Sequence, residues 1–190
     1  MCGIVGLFCY GAEQIIEPMT NRIVHRGPDN QSTWSAKGVG LGHTRLSIID
    51  TSSTSNQPFW DTSNRFCIVF NGEIYNFREL RSRLESKGVE FITNGDTEVL
   101  LYSLITFGES ILSEIEGIFA FCLYDNKKNS FLLGRDKFGV KPLYYYHDKD
   151  EGCFLFASEF KAFLEVPSFR KDICYDSLFR TMVFLYIALA

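Results

Sequence analysis

Short apolar runs separated by turn-forming residues recur along the chain and predict a strand-rich fold. The run at residues 66–70 is continuously apolar, which is typical of a strand covered on both faces, and the largely apolar residues 3–9 and 117–125 predict a buried first strand and a core strand. The polar residues 126–129 predict a hairpin turn after the third run. Further strands are expected at residues 31–35, 39–43, 130–134, 143–147 and 153–157.

Apolar residues at helical spacing predict helices between these strands. The helix expected after Asn76 has a capping-box pattern with Glu79 and a stop signal at Gly88. Another helix ends at Gly108 and has Asp96 as its predicted N-cap. The predicted helices span residues 12–24, 76–88, 95–108, 111–115, 158–163 and 175–190.

Length and composition predict one domain plus a short extension. The chain has 190 residues, of which 46% are hydrophobic, and this is enough for a sizeable core. We expect a domain at residues 1–165, followed at residues 166–190 by a linker and the truncated start of another domain. The uncharged run at residues 182–190 is shorter than the roughly 20 residues of a membrane span, so a docking helix is expected there.

Charge and cysteine usage exclude several functional classes. The net charge of −4 provides no basic face for nucleic acid. The six cysteines are scattered without a Cys-x-x-Cys pair, and no signal peptide is recognisable, which favours a reduced cytoplasmic setting over a disulfide framework. His25, His43 and His147 are too dispersed to predict a zinc site, so no bound metal is expected.

Cys2 is the first candidate for chemistry. If Met1 is removed, as we expect, Cys2 has a thiol and a free α-amine on one carbon, and the amine can serve as the base that activates the thiol. The reference pKa values, about 7.7–8 for the amine and about 8.5 for the thiol, lie near neutrality. The alternative is that Cys2 merely follows the start codon, as any residue can.

Two other segments contain candidate binding residues. Arg45 ends an apolar run, where its charge requires either a protein carboxylate or the carboxylate of a ligand as partner. Residues 51–57 form a polar loop that is long enough to cover a site. The turn at residues 25–29 (His-Arg-Gly-Pro-Asp) allows a bond between Arg26 and Asp29, and a purely structural loop is an equal alternative.

Asn71 and Gly72, which follow the run at residues 66–70, have two interpretations. Asn-Gly is a common hairpin turn. A side-chain amide beside a glycine N–H at a strand end also has the geometry of an oxyanion hole, and a helical pattern rather than a return strand follows the pair. Asp96 has the same ambiguity between helix capping and substrate binding.

Together these motifs resemble the class II glutamine amidotransferases, which are N-terminal-nucleophile hydrolases. The resemblance covers roughly residues 1–165 and is greatest to the glutaminase domain of glutamine-hydrolysing asparagine synthetases. It implies an α+β fold, a four-layer αββα sandwich of two antiparallel sheets. The motifs that carry it are Cys2-Gly3-Ile4, residues 25–29, Arg45-Leu46-Ser47-Ile48, residues 71–76 (Asn-Gly-Glu-Ile-Tyr-Asn), residues 95–98 (Gly-Asp-Thr-Glu), residues 134–144 and residues 157–159 (Ala-Ser-Glu).

The resemblance also implies catalytic roles. Cys2 would be the nucleophile and its own amine the base, while the Asn71 side chain and the Gly72 N–H would form the oxyanion hole. Thiolate attack on the side-chain amide of glutamine would release ammonia and leave a γ-glutamyl thioester. Water would then hydrolyse the thioester to glutamate.

Substrate recognition is implied in the same way. Arg45 would bind the α-carboxylate of glutamine, and Glu73 and Asp96 would bind its α-ammonium. Ile48, from the same motif as Arg45, is expected to contact glutamine. A zwitterionic amino acid requires one cation and one or two anions set apart, and these residue types provide them.

A partner outside this chain is a further implication. In the family, ammonia passes through a tunnel to a C-terminal synthetase domain, here in cis or in trans, that activates aspartate with ATP and Mg²⁺. The Ser-Gly-Gly-x-Asp-Ser signature of that domain does not occur in these residues, so no cofactor is expected in this chain. A homodimer of the full-length protein is a further possibility. The alternatives are amidation of another acceptor, such as a sugar or peptide carboxylate, and a non-catalytic assembly module.

Overall fold

Two sheets in which all strand pairings are antiparallel form the centre of the protein. The structure is a computed structural model that describes residues 1–48 and 50–184. In chain order the strands are β1 (Gly3–Phe8), β2 (Asn30–Ala36), β3 (Val39–Arg45), β4 (Phe59–Trp60), β5 (Phe66–Ile74), β6 (Gly117–Asp125), β7 (Ser130–Arg135), β8 (Tyr144–Asp148) and β9 (Cys153–Ala157). The first sheet has the order β2-β3-β1-β9-β8, and the second has the order β4-β5-β6-β7.

Helices connect and cover the strands. The α-helices are α1 (Ala12–Asn21), α2 (Phe77–Glu85), α3 (Asp96–Phe107) and α4 (Tyr175–Phe184). Short 3₁₀ helices occupy Val24–Arg26, Ser53–Ser55, Gly108–Ser113 and Phe160–Glu165. The helix predicted at residues 111–115 is therefore a 3₁₀ turn, and the one predicted at residues 12–24 ends its α-helical part at Asn21.

Strand β1 and the first half of β5 are apolar because each sheet is covered on both faces. In β1, Ile4 faces the second sheet, whereas Val5 and Leu7 pack in the cluster formed with α1. In β5, Val69 faces the first sheet, whereas Phe70 packs in the cluster formed with α2 and α3. This alternation follows from the period of two along a strand. The layers are helix, sheet, sheet and helix, which confirms the predicted four-layer αββα sandwich.

Strand β5 is longer than predicted and continues to Ile74. Asn71 and Gly72 therefore lie inside a strand, opposite Ala120 and Phe119 of β6, and the hairpin interpretation is wrong. Glycine is needed at position 72 because a Cβ there would lie 2.4 Å from the carbonyl oxygen of Ile118.

Two predicted helix caps are wrong because their side chains bond distant parts of the fold. Asn76 precedes α2 but makes no side-chain cap; its amide donates to the Glu114 carbonyl (2.9 Å) and accepts from the Glu116 N–H (3.1 Å). Ser158 Oγ accepts the N–H of Ile4 at 3.0 Å. The first contact joins α2 to the segment before β6, and the second joins β9 to the start of β1.

The C-terminal segment is described only in part. Helix α4 agrees with the prediction as far as residue 184, and residues 185–190 of the predicted helix and of the uncharged run lie outside the described residues. Val166 and Phe169 pack with Phe163 in the α1 cluster, and the domain division at residue 165 stays a prediction. Among the described residues no helix has both the length and the apolar character that a bilayer crossing requires.

Candidate active site

The predicted site residues meet in one pocket. It has a volume of about 120 Å³ and is lined by the start of β1, the end of β3, the C-terminal half of β5 and the start of α3. Segments far apart in the sequence come together here because β1 and β3 pair in the first sheet while β5 lies in the second. All seven residues line this pocket: Cys2, Arg45, Ile48, Asn71, Gly72, Glu73 and Asp96.

Cys2 is half-buried at the N-terminal end of β1. The backbone N–H of Leu46 donates to its Sγ at 3.4 Å, and the Leu46 carbonyl lies 3.6 Å from the same sulfur. The carbonyl oxygen of Cys2 accepts a hydrogen bond from Arg26 Nε at 2.9 Å. These contacts fix both the main chain and the thiol of the predicted nucleophile.

Arg26 is itself positioned by Glu159. The guanidinium donates to Glu159 Oε1 at 3.0 Å, and His25 and Lys161 bond the same carboxylate at 2.8 and 3.1 Å. Burial alone would raise the pKa of Glu159, but the hydrogen bonds from Arg26, His25 and Lys161 outweigh it and lower this pKa to about 2. The predicted bond between Arg26 and Asp29 is wrong, because the Asp29 carboxylate accepts the Ser47 N–H instead.

Asn71 provides an unused hydrogen-bond donor next to the nucleophile. Its side chain is 1% exposed, and its Nδ2 is buried without a partner among the described residues. An unsatisfied buried amide costs roughly 1–3 kcal/mol, so such groups are rare unless a ligand completes them. Both Asn71 and Gly72 line the pocket that contains Cys2.

Arg45 is a buried cation at the end of β3, with 7% of its surface exposed. Within residues 1–48 and 50–184 it forms no ion pair, and its guanidinium donates to the carbonyl oxygens of Ser52 (2.6 Å) and Asp50 and to Asn56 Oδ1 (2.7 Å). The predicted covering loop at residues 51–57 thus folds around Arg45. Because a buried charge favours an opposite charge, a ligand carboxylate would be a suitable partner.

Asp96 is a buried carboxylate that lines the same pocket as Arg45. It is the first residue of α3, whose N-cap is Gly95, so its predicted capping role is wrong. Its Oδ2 accepts the N–H of Ile74 at 3.0 Å. Burial is the main cause that raises the pKa of Asp96 from 3.8 to about 6; the hydrogen bond from the Ile74 N–H opposes the shift, and the charge of Glu73 adds to it.

The whole sequence, residues 1–190, matches the family model described as a glutamine amidotransferase domain. The chain belongs to the glutamine amidotransferase domain family. This amidotransferase domain is 44% identical over 195 residues to glutamine-hydrolysing asparagine synthetase 1 of Bacillus subtilis, with 98% of this chain and 30% of the relative covered. It is 37% identical over 158 residues to amidase chry2 of Gibberella zeae, with coverage of 80% and 23%.

A solved structure has the same fold as this amidotransferase domain. It is the glutamine phosphoribosylpyrophosphate amidotransferase of Bacillus subtilis complexed with ADP and GMP, with a TM-score of 0.74 and 23% identity over 87% of this chain and 43% of that one. At this identity the similarity concerns the fold alone. The chain spans about 30% of the length of the Bacillus subtilis asparagine synthetases that it matches.

Sequence reasoning missed two residues that shape the pocket of the amidotransferase domain. Asp50 accepts bonds from the Ser52 hydroxyl (2.6 Å) and the Asn94 N–H (3.0 Å), which hold the pKa of Asp50 well below its usual range. Gln57 Oε1 accepts the Phe70 N–H at 2.6 Å, next to Asn71. Both fix the ends of the covering loop, and the partners that join this loop to the rest of the fold, Asn94 and Phe70, are distant in sequence, so the local pattern contains no signal for these two bonds.

Lys141 is a third pocket residue without a predicted role. It belongs to the 134–144 motif, whose turn is organised by two side chains. Asp136 accepts N–H groups of Phe138 (3.1 Å), Val140 (3.0 Å) and Lys141 (3.1 Å). Arg135 Nε donates to the Lys141 carbonyl at 2.7 Å. The motif therefore has a structural function, which is to bring Lys141 to the pocket.

Because the pKa of Asp96 is raised, replacing this residue with asparagine is expected to increase stability at neutral pH and to decrease glutamine affinity. Between pH 4 and 6 the folded protein binds a proton at Asp96 that the unfolded chain does not, so the free energy of unfolding falls as pH rises through this window. Above pH 6 the free energy of unfolding is lower than at pH 4 by on the order of 2–3 kcal/mol. Asp96→Asn is expected to recover about 2 kcal/mol at pH 7.5, measured by urea unfolding.

The same substitution is expected to weaken glutamine binding, because a neutral amide cannot pair with an ammonium group. We expect Kd to rise about 10–100-fold at pH 7.5, the loss typical of a charge-assisted hydrogen bond. In the wild type, Kd should also rise as pH falls below about 6. Asp61→Asn is the control, since buried Asp61 accepts backbone N–H groups of Arg65 and Phe66 outside the pocket. It should lower stability and leave Kd unchanged; equal Kd changes in both variants would contradict the assignment.

Proposed function

We propose that this chain hydrolyses the side-chain amide of glutamine to glutamate and ammonia through a thioester on Cys2. The observation that supports this most strongly is the buried, unpaired Nδ2 of Asn71 in the pocket of Cys2. A donor left without a partner in the resting protein is suited to the oxygen anion that forms when a thiolate attacks an amide.

The proposed reaction begins after removal of Met1. The freed α-amine of Cys2 takes the proton of the thiol, and the thiolate attacks the amide carbon. The Asn71 amide and the Gly72 N–H stabilise the tetrahedral oxyanion, and the amine returns the proton to the departing ammonia. Water then attacks the thioester with the amine again acting as base, which releases glutamate.

Glutamine would be oriented by charges at its two α-substituents. Arg45 is a buried cation without an anionic partner in the described chain, and it suits the α-carboxylate. Asp96 and Glu73 suit the α-ammonium, whose charge would compensate the burial of Asp96. Ile48, which lines the pocket and is 73% exposed, would contact glutamine from the segment between β3 and the covering loop.

The ammonia would serve a synthetase domain, in cis or in trans, that forms asparagine from aspartate. The named asparagine synthetases among the relatives support this, as does the short share of their length that the chain spans. The amidase chry2 relative supports the alternative of another acceptor. In either case ATP and Mg²⁺ would bind outside this chain, and we propose that the protein acts in the cytoplasm.

Purified chain is expected to convert glutamine to glutamate and ammonia without ATP. Product analysis by amino-acid chromatography should show equal amounts of glutamate and ammonia, and adding aspartate, ATP and Mg²⁺ should yield no asparagine. A full-length protein that contains the synthetase domain is the control. If neither the chain nor the full-length protein hydrolysed glutamine, the non-catalytic assembly module would be favoured. Formation of asparagine by the chain alone would contradict the assignment of synthesis to another domain.

Active protein is expected to begin at Cys2. Met1 lines the pocket beside Cys2, and its peptide bond occupies the amine proposed as base, so its removal both frees the base and opens the pocket. Intact-mass measurement of active enzyme should show the loss of one methionine. Full activity in protein that retains Met1 would exclude the amine as the base.

A further inference from the structure

A second pair of thiols lies at the end of β1 opposite to Cys2. In the β1–β9 ladder, Phe8 is opposite Phe154, so the next antiparallel step places Cys9 opposite Cys153. The Cys9 N–H donates to the Gly38 carbonyl at 2.8 Å, which keeps Cys9 aligned with the sheet beyond the last strand residue. Both cysteines pack in the cluster formed with α1, so their side chains share one face of the sheet.

This arrangement satisfies the geometric requirement for a disulfide. Directly opposed residues of an antiparallel pair have Cα atoms about 4.5–5.5 Å apart. Disulfides span Cα separations of about 4.4–6.8 Å, so the two backbones require no rearrangement to be joined.

The two thiols differ in access and in protonation. Cys9 is half-buried and lines a surface cavity of about 980 Å³ with Tyr10 and Lys37, whereas Cys153 is 2% exposed. A hydrogen bond from the Cys153 thiol lowers the pKa of Cys9, and the same interaction raises the pKa of Cys153. Cys9 is thus the accessible thiol with more thiolate, and Cys153 is the buried partner beside it.

The remaining cysteines lack this combination. Cys67 and Cys122 are fully buried between the two sheets, where burial raises the pKa of each thiol. Cys174 is exposed and hydrogen-bonds Ser177. Cys2 lies seven residues from Cys9 along β1, about 23 Å at the rise of an extended strand.

We propose that Cys9 and Cys153 form a reversible disulfide when the protein meets a hydroperoxide. The Cys9 thiolate attacks the peroxide oxygen and breaks the O–O bond, which gives Cys9 sulfenic acid and a hydroxide or alkoxide; this leaving group takes up the proton that the Cys9 thiol released to solvent and becomes water or alcohol. The Cys153 sulfur then attacks the Cys9 sulfur, the S–O bond breaks, and the Cys153 proton leaves with the oxygen as water. Two thiols are oxidised and one peroxide is reduced, and an external dithiol reverses the reaction.

The disulfide would close a loop that contains most of the chain. Loop closure of this length restricts the unfolded state strongly, so oxidised protein is expected to melt about 10 °C higher than reduced protein. The bond joins β1 to β9 far from the pocket, so the glutaminase site should keep its geometry. The disulfide would therefore stabilise the fold under oxidising conditions without changing the active site. Activity would then depend on whether the Cys2 thiol itself is oxidised.

The test treats the full chain with hydrogen peroxide, blocks free thiols and maps peptides by mass spectrometry. We expect a peptide that joins Cys9 to Cys153, about 2 Da lighter than the sum of its reduced parts, and its disappearance on dithiothreitol treatment. Cys9→Ser should remove this peptide and the rise in melting temperature, whereas Cys174→Ser, at an exposed cysteine, should change neither.

Two outcomes would overturn the proposal. One is oxidation of Cys9 to sulfinic acid with Cys153 still a free thiol. The other is a cross-link of Cys9 to any cysteine other than Cys153. The Cys9→Ser variant keeps the buried Cys153 and its packing. If the melting temperature of the reduced variant matches that of the reduced wild type, unfolding does not explain loss of the cross-link.

Discussion

Cys2→Ala is expected to reduce glutamine hydrolysis to the uncatalysed background while the protein stays folded. The substitution removes the only atom that can form the thioester, and the amine and oxyanion donors cannot replace a nucleophile. Among the described residues the thiol hydrogen-bonds the backbone of Leu46 at 3.4 and 3.6 Å and Cys2 is only half-buried, so the free energy of unfolding should change by about 1 kcal/mol or less. Steady-state glutaminase assays and urea unfolding measure the two quantities separately.

Cys174→Ala is the matched control for this variant. Cys174 is an exposed cysteine before α4 and does not line the pocket, so its removal should leave activity unchanged. Alanine, like cysteine, is small enough at position 2 for Met1 to be removed, so the two N-termini remain comparable. If the activity of Cys2→Ala were close to that of the wild type, a different nucleophile would be required and a thioester on Cys2 would be excluded.

The central strands were predictable because apolar periodicity reports burial, whereas their arrangement in a four-layer sandwich was implied by the family resemblance. Ile4 and Val5, or Val69 and Phe70, are consecutive and buried on opposite faces, as expected for strands of a sheet that is covered on both faces. The errors concern polar side chains at element ends. Asn76, for example, has the residue type of a helix cap but bonds the segment before β6. Capping propensity is local, and a buried long-range partner overrides it.

The site was predictable as a set of residue types but not as an arrangement. Arg45 was recognisable because a charge in an apolar context needs a partner, whereas the binding role of Asp96 was implied by the family resemblance. Which partner the resting protein provides depends on tertiary structure: Arg45 bonds the carbonyls of its own loop, and Asp96 bonds the N–H of Ile74. The contributions of Asp50 and Gln57 were not predictable, because they hold the loop through atoms more than ten residues away.

Three polar groups in the pocket are buried at a cost in free energy, and each is complementary to a part of glutamine. Arg45 is buried without an ion pair in the described chain, Asp96 has a raised pKa, and the Asn71 amide lacks an acceptor. Each would gain from a different part of the substrate: the α-carboxylate, the α-ammonium and the developing oxyanion. The first two act on the ground state, so their loss should appear in Kd. In the proposed mechanism Asn71 acts when charge develops on the amide oxygen, so its loss should appear in kcat.

Asn71→Ala is therefore expected to lower kcat by roughly 10²–10³ with little change in KM, the usual loss for one oxyanion donor. Because Nδ2 has no partner among the described residues, the substitution removes no hydrogen bond of that atom, and stability should change little. Asn71→Asp is the isosteric comparison. It replaces the donor by an acceptor with negative charge, so its kcat should fall at least as far although the side-chain volume is the same.

Asn126→Ala is the control at a half-buried turn asparagine outside the pocket, whose Nδ2 lies 3.5 Å from the Asn64 carbonyl, and it should leave kcat and KM unchanged. Pre-steady-state measurement of ammonia release would place the Asn71 effect on thioester formation. A variant in which KM alone rises would mean that Asn71 binds the substrate amide in the ground state. In that case the Gly72 N–H would be the only remaining proposed donor, and it cannot by itself account for a two-donor oxyanion hole.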